Sequence, residues 1–454
     1  MRILFVYPNH GTELRIPLAI SILIASLRKA GHKVRLFDTT FLGEFHTDNE
    51  NMARLGTHKE TNLNEIIGET EKGDPKEKLK EEIKAFKPGF ICVSLVERNF
   101  REARELLRGI RRPVLVGGIM PTIAPEYILN QDWVDGICVG EGEEALPEFF
   151  NTHGNYMSNI RNIWVKDYNT RLRPLINLDD VPEQDWSDFD KRHMLKPFMG
   201  KVYKSGAFEF SRGCSKSCTF CVAPKLRTMQ SAIGKYHRTK TPHKLIQEIL
   251  NKKVEYGLNM VSFSDTDFLT APKDKIKDLL VRYARDIRLP FTIQTSVSTL
   301  LDEDILKLLK KAQCCAISVG VESGSKRIQK EVLKKVVPIE LTKKAFTLCR
   351  NHGLRITADY MMGLPYETEQ DIHDTIDYTR IVNPTSIAVT YFTPFIGTEL
   401  YDVCMKEGFY EPFRENIYEY PPLNMPQLSQ NRIKELIKEF VDDFKTYQND
   451  INTL

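Results

Sequence analysis

Long apolar runs are missing from this sequence. No stretch reaches the ~18 apolar residues a membrane-spanning helix needs, so none is expected. The opening Met1-Arg2-Ile3-Leu4-Phe5-Val6-Tyr7 has an apolar core too short for a secretory signal, and polar residues follow at once. Net charge is also scarce. Sixty-four basic residues face 61 acidic ones, leaving +3, which gives no argument for a nucleic-acid partner. No G-x-G-x-x-G follows the first apolar run, which disfavours a nicotinamide-dinucleotide site. Cysteine is sparse, with nine in 454 residues. Without a signal sequence, that usage fits a reducing cytoplasm rather than a disulfide framework. The length itself calls for two or three domains.

Three of the nine cysteines stand together. Ser211-Arg212-Gly213-Cys214-Ser215-Lys216-Ser217-Cys218-Thr219-Phe220-Cys221 spaces them by three and then two residues. Thiolates bind soft metals and iron–sulfur clusters. A cubane held by three cysteines leaves one iron open to another ligand, much as a catalytic metal keeps one position free. Two plainer readings compete. A zinc site would be short of one ligand, because the next His or Cys is His237. Buried free thiols fit poorly with Lys216 and two serines, which make the loop polar.

The first third of the chain alternates. Apolar runs at 2–7, 33–37, 90–95, 113–116 and 134–139 read as strands, with helices at 17–30, 100–110, 125–129 and 143–150 between or after them. Residues 41–74 are polar and irregular, and 75–86 form a charged helix with a solvated face. This alternation predicts a doubly wound parallel sheet, whose ligands sit at the carboxyl ends of the strands. The loops there are 8–17, 95–99, 117–122 and 140–143. Gly117-Gly118 either admits a ligand close to the backbone or is a plain turn. Residues 151–204 read as a linker.

From residue 206 the rhythm returns. Six strands, at 206–211, 259–264, 291–295, 316–320, 355–361 and 386–391, are each followed by helix, which predicts a parallel barrel or part of one. Chemistry in such barrels lies at the C-terminal strand ends. The cysteine loop follows the first strand. Asp265 and Asp267 follow the second, where they could hold a cationic amine or cap the next helix. Ser296 follows the third. Glu322 ends the fourth within Gly320-Val321-Glu322-Ser323-Gly324-Ser325, as a polar contact to a ligand, with capping by Ser323 or Ser325 the alternative. Residues 431–447 form an amphipathic helix with Ile433, Leu436, Ile437, Phe440, Val441 and Phe444 on one face, for packing on the barrel or for a dimer contact. Cys92, Cys138, Cys349 and Cys404 read as buried thiols. So does the vicinal pair Cys314-Cys315, for which a redox role is the alternative.

The cysteine segment, with aromatic Phe220 before its last cysteine, resembles the signature of radical S-adenosylmethionine (SAM) enzymes. The Glu322 stretch resembles that family's Gly-x-Glu-Ser-Gly-Ser. Gly363-Leu364-Pro365-Tyr366-Glu367-Thr368 resembles Gly-Leu-Pro-Gly-Glu-Thr, with Tyr366 where Gly is usual, and Thr393-Pro394-Phe395-Ile396-Gly397-Thr398 also matches. Upstream, Gly117-Gly118-Ile119-Met120-Pro121-Thr122, Pro125-Glu126 and Gly140-Glu141-Gly142-Glu143 resemble the cobalamin-binding domain that precedes many such enzymes. The Asp-x-His-x-x-Gly loop of classical cobalamin mutases is absent, and His10-Gly11 lacks its spacing. The resemblance therefore implies a form with no histidine on cobalt. A methylthiotransferase-type second cluster is not implied, because only Cys92 and Cys138 lie in this region.

The implied architecture is α/β. A Rossmann-like cobalamin-binding domain (1–150) precedes a strap (151–204), a partial (β/α)6 radical SAM barrel (205–405) and a C-terminal helical extension (406–454). The resemblance implies a 4Fe–4S cluster on Cys214, Cys218 and Cys221. It puts SAM near Phe220, Asp265, Asp267, Ser296 and Glu322, and cobalamin near Gly117, Gly118, Thr122, Gly140 and Glu141. It implies a 5′-deoxyadenosyl radical that takes hydrogen from an unreactive carbon of a small molecule, with C-methylation first and cyclisation or rearrangement as alternatives. An electron donor such as a flavodoxin or ferredoxin is implied as partner. A radical SAM enzyme with a cobalamin-free N-terminal domain, and a non-catalytic iron–sulfur or zinc protein, are the remaining readings.

Overall fold

The structure is a computed structural model and describes residues 1–9, 14–43, 63–412 and 421–453. It divides into two units. One comprises Met1–Thr47, Asn62–Val202 and Thr228–Tyr236, the other chiefly Tyr203–Arg227 and His237–Leu454. Among the described residues no helix is long and apolar enough to cross a membrane.

The first unit is built on strands β1 (Arg2–Tyr7), β2 (Lys33–Asp38), β3 (Phe90–Ser94), β4 (Val114–Gly117) and β5 (Gly136–Cys138). They are parallel and lie in the order β2-β1-β3-β4-β5. Ile3, Leu4, Phe5 and Val6 are all buried, as a strand covered on both faces requires. This order is one of the two common doubly wound arrangements, and ligands bind at the carboxyl ends of its strands. Helix Leu18–Lys29 follows β1, and Gly31 beyond it takes a φ of +84°. Helix Pro75–Phe86 is capped by the Asp74 carboxylate and buries only Leu79 and Phe86, which leaves its charges in solvent.

The stretch expected as a linker is instead part of this unit. Strands β6 (Ile163–Val165) and β7 (Tyr168–Asn169) extend the sheet antiparallel beyond β5. Leu178 and Val181 are buried against Ile22. Ser21 Oγ donates to Gln184 Oε1 at 3.1 Å, and the indole of buried Trp186 donates to the same oxygen at 2.9 Å. Arg28 pairs with Asp185 at 2.7 Å and Asp188 at 2.8 Å. His193 Nε2 lies 2.5 Å from Asp38 Oδ2. These anchors are single residues at irregular spacing, so no helix or strand period announces them.

The second unit carries six parallel strands among its described residues: β8 (Lys201–Phe208), β9 (Met260–Phe263), β10 (Phe291–Thr295), β11 (Cys314–Glu322), β12 (Ile356–Met362) and β13 (Ser386–Tyr391). They pair in chain order, and β8 and β13 do not pair with each other, so the barrel is partial. Burial alternates along β12. Ile356, Ala358, Tyr360 and Met362 are buried, while Thr357, Asp359 and Met361 are half-buried. Tyr360 identifies the outer face, because its ring meets Phe440 of the C-terminal helix Gln430–Thr453 at 5.4 Å and its hydroxyl accepts from Thr379 at 2.8 Å. Asp359 therefore points to the inner face. Ile433, Leu436, Ile437, Phe440 and Val441 of the C-terminal helix are buried, and Arg380 pairs with Asp443, so this helix packs on the barrel.

Two local details differ from expectation. β11 begins at Cys314, and its register against β10 shifts from Phe291↔Cys314 to Thr292↔Ala316, so Cys315 is bulged. The helix expected at 326–333 is a short π-helix, Ile328–Val332.

Candidate functional site

The cysteine loop leaves the C-terminal end of β8 and is pinned from several sides. Asp265 fixes its start: the buried carboxylate accepts from Phe210 N at 3.0 Å and from Ser211 N and Oγ at 2.5 Å each. Burial nevertheless pushes Asp265 up to about 6. Thr219 anchors the middle. Its hydroxyl donates to Val332 O at 2.6 Å, its N–H to Leu333 O at 3.2 Å, and its carbonyl accepts from Leu400 N at 3.1 Å. The Arg227 guanidinium donates to the carbonyls of Cys214 (3.1 Å) and Lys216 (2.7 Å) and to Ser217 Oγ (3.0 Å). With the backbone so occupied, the thiols are left to a ligand.

Cys214 Sγ accepts from Lys216 N at 3.4 Å, and Cys221 Sγ from Ala223 N at 3.5 Å. Burial pushes the Cys218 thiol up to about 11, with Lys335 pulling it back and the other two thiols adding to the rise. Cys221 is raised for the same first reason. Among the described residues, no three or more His, Cys, Asp or Glu side chains are drawn together as for a single metal ion. The fit to a cluster rests on donor chemistry: three thiols on one ordered loop, close enough to influence one another and buried enough that the metal-bound thiolate is favoured over a bare one.

The end of β11 adds charge. Lys335 Nζ donates to Glu322 Oε1 at 2.8 Å and to Gly320 O at 2.6 Å, and lies 6.0 Å from the Phe220 ring centroid. Glu322 takes a φ of +72°, a left-handed conformation that costs a side-chain-bearing residue roughly 1–2 kcal/mol. A Cβ on Gly320 would stand 2.3 Å from Glu322 Oε1, so only glycine leaves room for this carboxylate. The neighbouring serines are structural. Ser325 Oγ donates to Asp371 Oδ1 at 2.6 Å, and Ser323 O accepts from Gln329 Nε2 at 2.7 Å. Capping thus falls to Ser325, whose Oγ accepts from Ile328 N at 3.4 Å, while the Glu322 carboxylate is paired with Lys335.

Asp267 is engaged between strand ends. It accepts from Thr295 Oγ1 at 2.8 Å and Ser296 N at 3.2 Å. Ser296 Oγ is buried without a partner, and so is Thr393 Oγ1 after β13. Orphaned buried hydroxyls are costly unless a ligand or water meets them.

Two residues escaped the sequence reading. Asp359 on β12 accepts from Ser318 Oγ, faces the same side of the sheet as Glu322, and is raised by burial to about 7. Period-two alternation could have found it, since it is a carboxylate inside Ile-Thr-Ala-Asp-Tyr-Met-Met. Lys335 sits in a lysine-rich turn that reads as solvated, yet its ammonium is largely buried. In the next loop, Tyr366 takes the turn where Gly was expected, at a φ of +62°. Its carbonyl accepts from Arg327 at 2.9 Å, and its ring meets Phe409 at 5.8 Å. Beside it, buried Glu367 accepts from Gly363 N at 2.7 Å and Leu364 N at 3.1 Å and is pushed up to about 8.

In the first unit the expected loops meet. Thr122 Oγ1 donates to Gly118 O at 2.8 Å and accepts from Gly140 N at 3.0 Å, joining the loops after β4 and β5. Gly118 has a φ of +104°, and a Cβ there would lie 2.6 Å from Leu95 O. Leu95 N donates to Gly117 O at 2.7 Å. Glu141 points away from this junction, with Oε2 accepting from Ile176 N at 3.0 Å. His10 and Gly11 lie outside the described residues.

Comparison with known proteins agrees with this division. A family described as the Radical SAM superfamily matches residues 208–379, and one described as a B12 binding domain matches residues 57–150. Cytidylyl-2-hydroxyethylphosphonate methyltransferase of Streptomyces wedmorensis is 23% identical over 94% of this chain and 86% of its own. The anaerobic magnesium-protoporphyrin IX monomethyl ester cyclase of Rubrivivax gelatinosus is 24% identical over 88% of this chain and 69% of its own. Among solved structures, the radical SAM methyltransferase TsrM of Kitasatospora setae, with cobalamin and a [4Fe–4S] cluster, superposes with a TM-score of 0.66 at 18% identity, covering 96% of this chain and 84% of TsrM. The cobalamin-dependent radical SAM enzyme OxsB gives 0.68 at 15% identity, covering 97% and 67%. The fold is shared with both.

Proposed function

This chain belongs to the cobalamin-dependent radical SAM enzymes, and from that premise we propose that it methylates an unactivated carbon of a small molecule. Cys214, Cys218 and Cys221 would hold the 4Fe–4S cluster. The observation that carries the reading is Lys335, which links the cysteine loop, through Phe220 and Cys218, to the Glu322 carboxylate on the inner face of the barrel. When bound, the cluster and SAM supply hydrogen abstraction by a 5′-deoxyadenosyl radical, and cobalamin supplies the methyl-transfer chemistry.

The chain's own part is positioning. Arg227, Thr219 and Asp265 hold the loop so that three thiols emerge in order. Glu322, Lys335 and Asp359 place opposite charges where a zwitterionic amino acid moiety with a hydroxylated sugar would find donors and acceptors, as SAM has. The unpartnered Ser296 and Thr393 hydroxyls add two more. The outer layer of Phe263, Phe291, Tyr283 and Tyr360 is buried and keeps water from the other side of the sheet. The nine cysteines, all free, suit a reducing, cytoplasmic compartment, and a flavodoxin or ferredoxin is the electron donor that chemistry calls for.

The similarity to a cyclase favours a second reading, cyclisation with the same cofactors. The two separate by products. Cobalamin-loaded protein given SAM and a low-potential reductant should form both 5′-deoxyadenosine and S-adenosylhomocysteine. 5′-Deoxyadenosine without S-adenosylhomocysteine would favour cyclisation. Absence of both would overturn the proposal.

A further inference from the structure

Thr219 lies between two of the three loop thiols, and two other segments of the same unit meet it there. Thr219 N donates to Leu333 O at 3.2 Å, and Thr219 O accepts from Leu400 N at 3.1 Å. Lys334, the residue after Leu333, pairs with Glu399, the residue before Leu400. Thr219, Leu333 and Leu400 are buried, while Lys334 and Glu399 are exposed. Three segments are thus joined beneath one outward-facing ion pair.

The first of these segments is basic. Residues 326–336 hold Lys326, Arg327, Lys330, Lys334 and Lys335 against the single acid Glu331, in a chain whose net charge is only +3. Arg327 is engaged by Asp371 and Lys335 by Glu322, so Lys326, Lys330 and Lys334 carry the exposed charge. The cysteine loop and the helix after it add Lys216, half-buried, and Lys225, exposed. The same two flanking segments also expose apolar side chains, Val336 at 65% and Phe395 at 37%. Apolar contact area among rim charges is the anatomy of a protein interface.

The surface has a short bonded path inward. From Lys334 the chain runs to Leu333, crosses a hydrogen bond to Thr219 and reaches Cys218 over one peptide unit. Electron transfer weakens steeply as such a path lengthens.

We infer that the surface of Lys330, Lys334, Val336 and Phe395 is a docking face for a flavodoxin, whose acidic rim surrounds the exposed apolar edge of its flavin. This rests on the reading of the cysteine loop as a cluster site that takes an electron from outside. Charge complementarity selects an acidic partner, and the exposed Val336 and Phe395 suit a flavin edge better than a carrier that presents charge alone. The step is a single electron passed from the anionic flavin hydroquinone to the oxidised cluster. It makes and breaks no bond, moves no proton and leaves the neutral flavin semiquinone.

The test uses the full chain, reconstituted anaerobically with iron and sulfide, and a bacterial flavodoxin as the probe. Titration calorimetry with oxidised flavodoxin measures docking apart from catalysis. Lys330→Glu combined with Lys334→Glu should weaken binding by about tenfold or more at low ionic strength, and added salt should weaken the wild type more than the variant. Val336→Asp should weaken binding as well. Lys307→Glu, on helix Glu303–Lys311, lies in none of the three segments and should change nothing. 5′-Deoxyadenosine formation is then driven in two ways. With flavodoxin hydroquinone the double variant should lose about tenfold. With titanium(III) citrate, which needs no docking face, it should match wild type. Equal flavodoxin affinity in wild type and double variant would overturn the face while leaving the function standing. So would a wild type that cleaves SAM with titanium(III) citrate but binds no flavodoxin, or binds only a ferredoxin. Loss of the titanium-driven reaction in the double variant would make the two lysines structural and overturn the face too. Wild-type protein that forms no 5′-deoxyadenosine with either reductant would remove the functional reading and the face together.

Discussion

The two units solve the same problem in different ways. Each is built on parallel strands, and sheets of that kind bind ligands at the carboxyl ends of their strands. In the first unit the edge is made of backbone. Glycines allow loops to touch, Thr122 and Asn99 satisfy the polar groups, and apolar side chains remain outside. In the second unit the edge is made of side chains. Three thiols stand on the loop after β8, the Glu322–Lys335 pair closes β11, Asp359 lies on the inner face of β12, and the Ser296 and Thr393 hydroxyls are buried without partners. A neutral seat suits a large, flat ligand bound by shape. A charged interior suits small ions and zwitterions bound by electrostatics.

The largest expected effect lies on the charged side. Cys214→Ala, Cys218→Ala or Cys221→Ala should each abolish detectable 5′-deoxyadenosine formation while hydroxocobalamin binding persists. Chromatographic assay of the SAM cleavage product checks this. Retained cleavage in any one of them would break the division of labour.

Glycine substitutions should separate the units next. A Cβ on Gly324 would stand 2.4 Å from Tyr378 Cβ and 2.7 Å from Thr375 Cα, so Gly324→Ala must push helix Glu369–Val382 aside. A loss of about 3 kcal/mol in stability is expected, with cobalamin binding intact in the folded fraction. Gly118→Ala should do the reverse, costing cobalamin binding first. Denaturant unfolding and cobalamin titration of the same two proteins decide the matter.

Asp359 sharpens the contrast through pH. Burial raises it to about 7 from 3.8, so the folded state keeps a proton that the unfolded chain gives up. The stability it contributes is complete below about pH 4 and is lost as pH rises through about 7. Asp265 and Glu367, raised to about 6 and about 8, slope the same way and form the background. Asp359→Asn should remove its share, making the variant's stability relative to wild type greater at about pH 8 than at about pH 5. An unchanged difference would place Asp359 in water.

The smallest effect concerns backbone strain. Tyr366 holds a φ of +62° that glycine adopts freely. Tyr366→Gly should be more stable than Tyr366→Ala by about 1 kcal/mol, since both lose the ring contact to Phe409 and only glycine relieves the strain. Equal melting temperatures would show that the turn relaxes.

Legibility in the sequence followed the same divide. A strand buried on both faces is a continuous apolar run, as in β1, and one with a solvated face alternates, as in Phe291-Thr292-Ile293-Gln294-Thr295 of β10, so both appear at their full lengths. The cysteine spacing and the glycine loops are local patterns, and the structure brings Gly117, Gly118, Thr122 and Gly140 together as their positions at strand ends suggest. Contacts made across the fold were not legible. Lys335 looks like any surface lysine until Glu322 and Gly320 are seen beside it. Asp359 depends on knowing which face of β12 is inner. Asp265 was expected beside a ligand, and its hold on the loop that carries the thiols could not be read from the sequence. The strap at 151–204 is held by Gln184 and two aspartates, whose partners on helix Leu18–Lys29 are more than a hundred residues earlier.

On this reading one chain holds a cluster and a cobalamin on two separately built edges. Anaerobic reconstitution with iron, sulfide and hydroxocobalamin, followed by metal analysis and an ultraviolet–visible spectrum, tests it most directly. About four irons and one cobalt per chain are expected. Zinc alone, with no uptake of iron or cobalt, would contradict it.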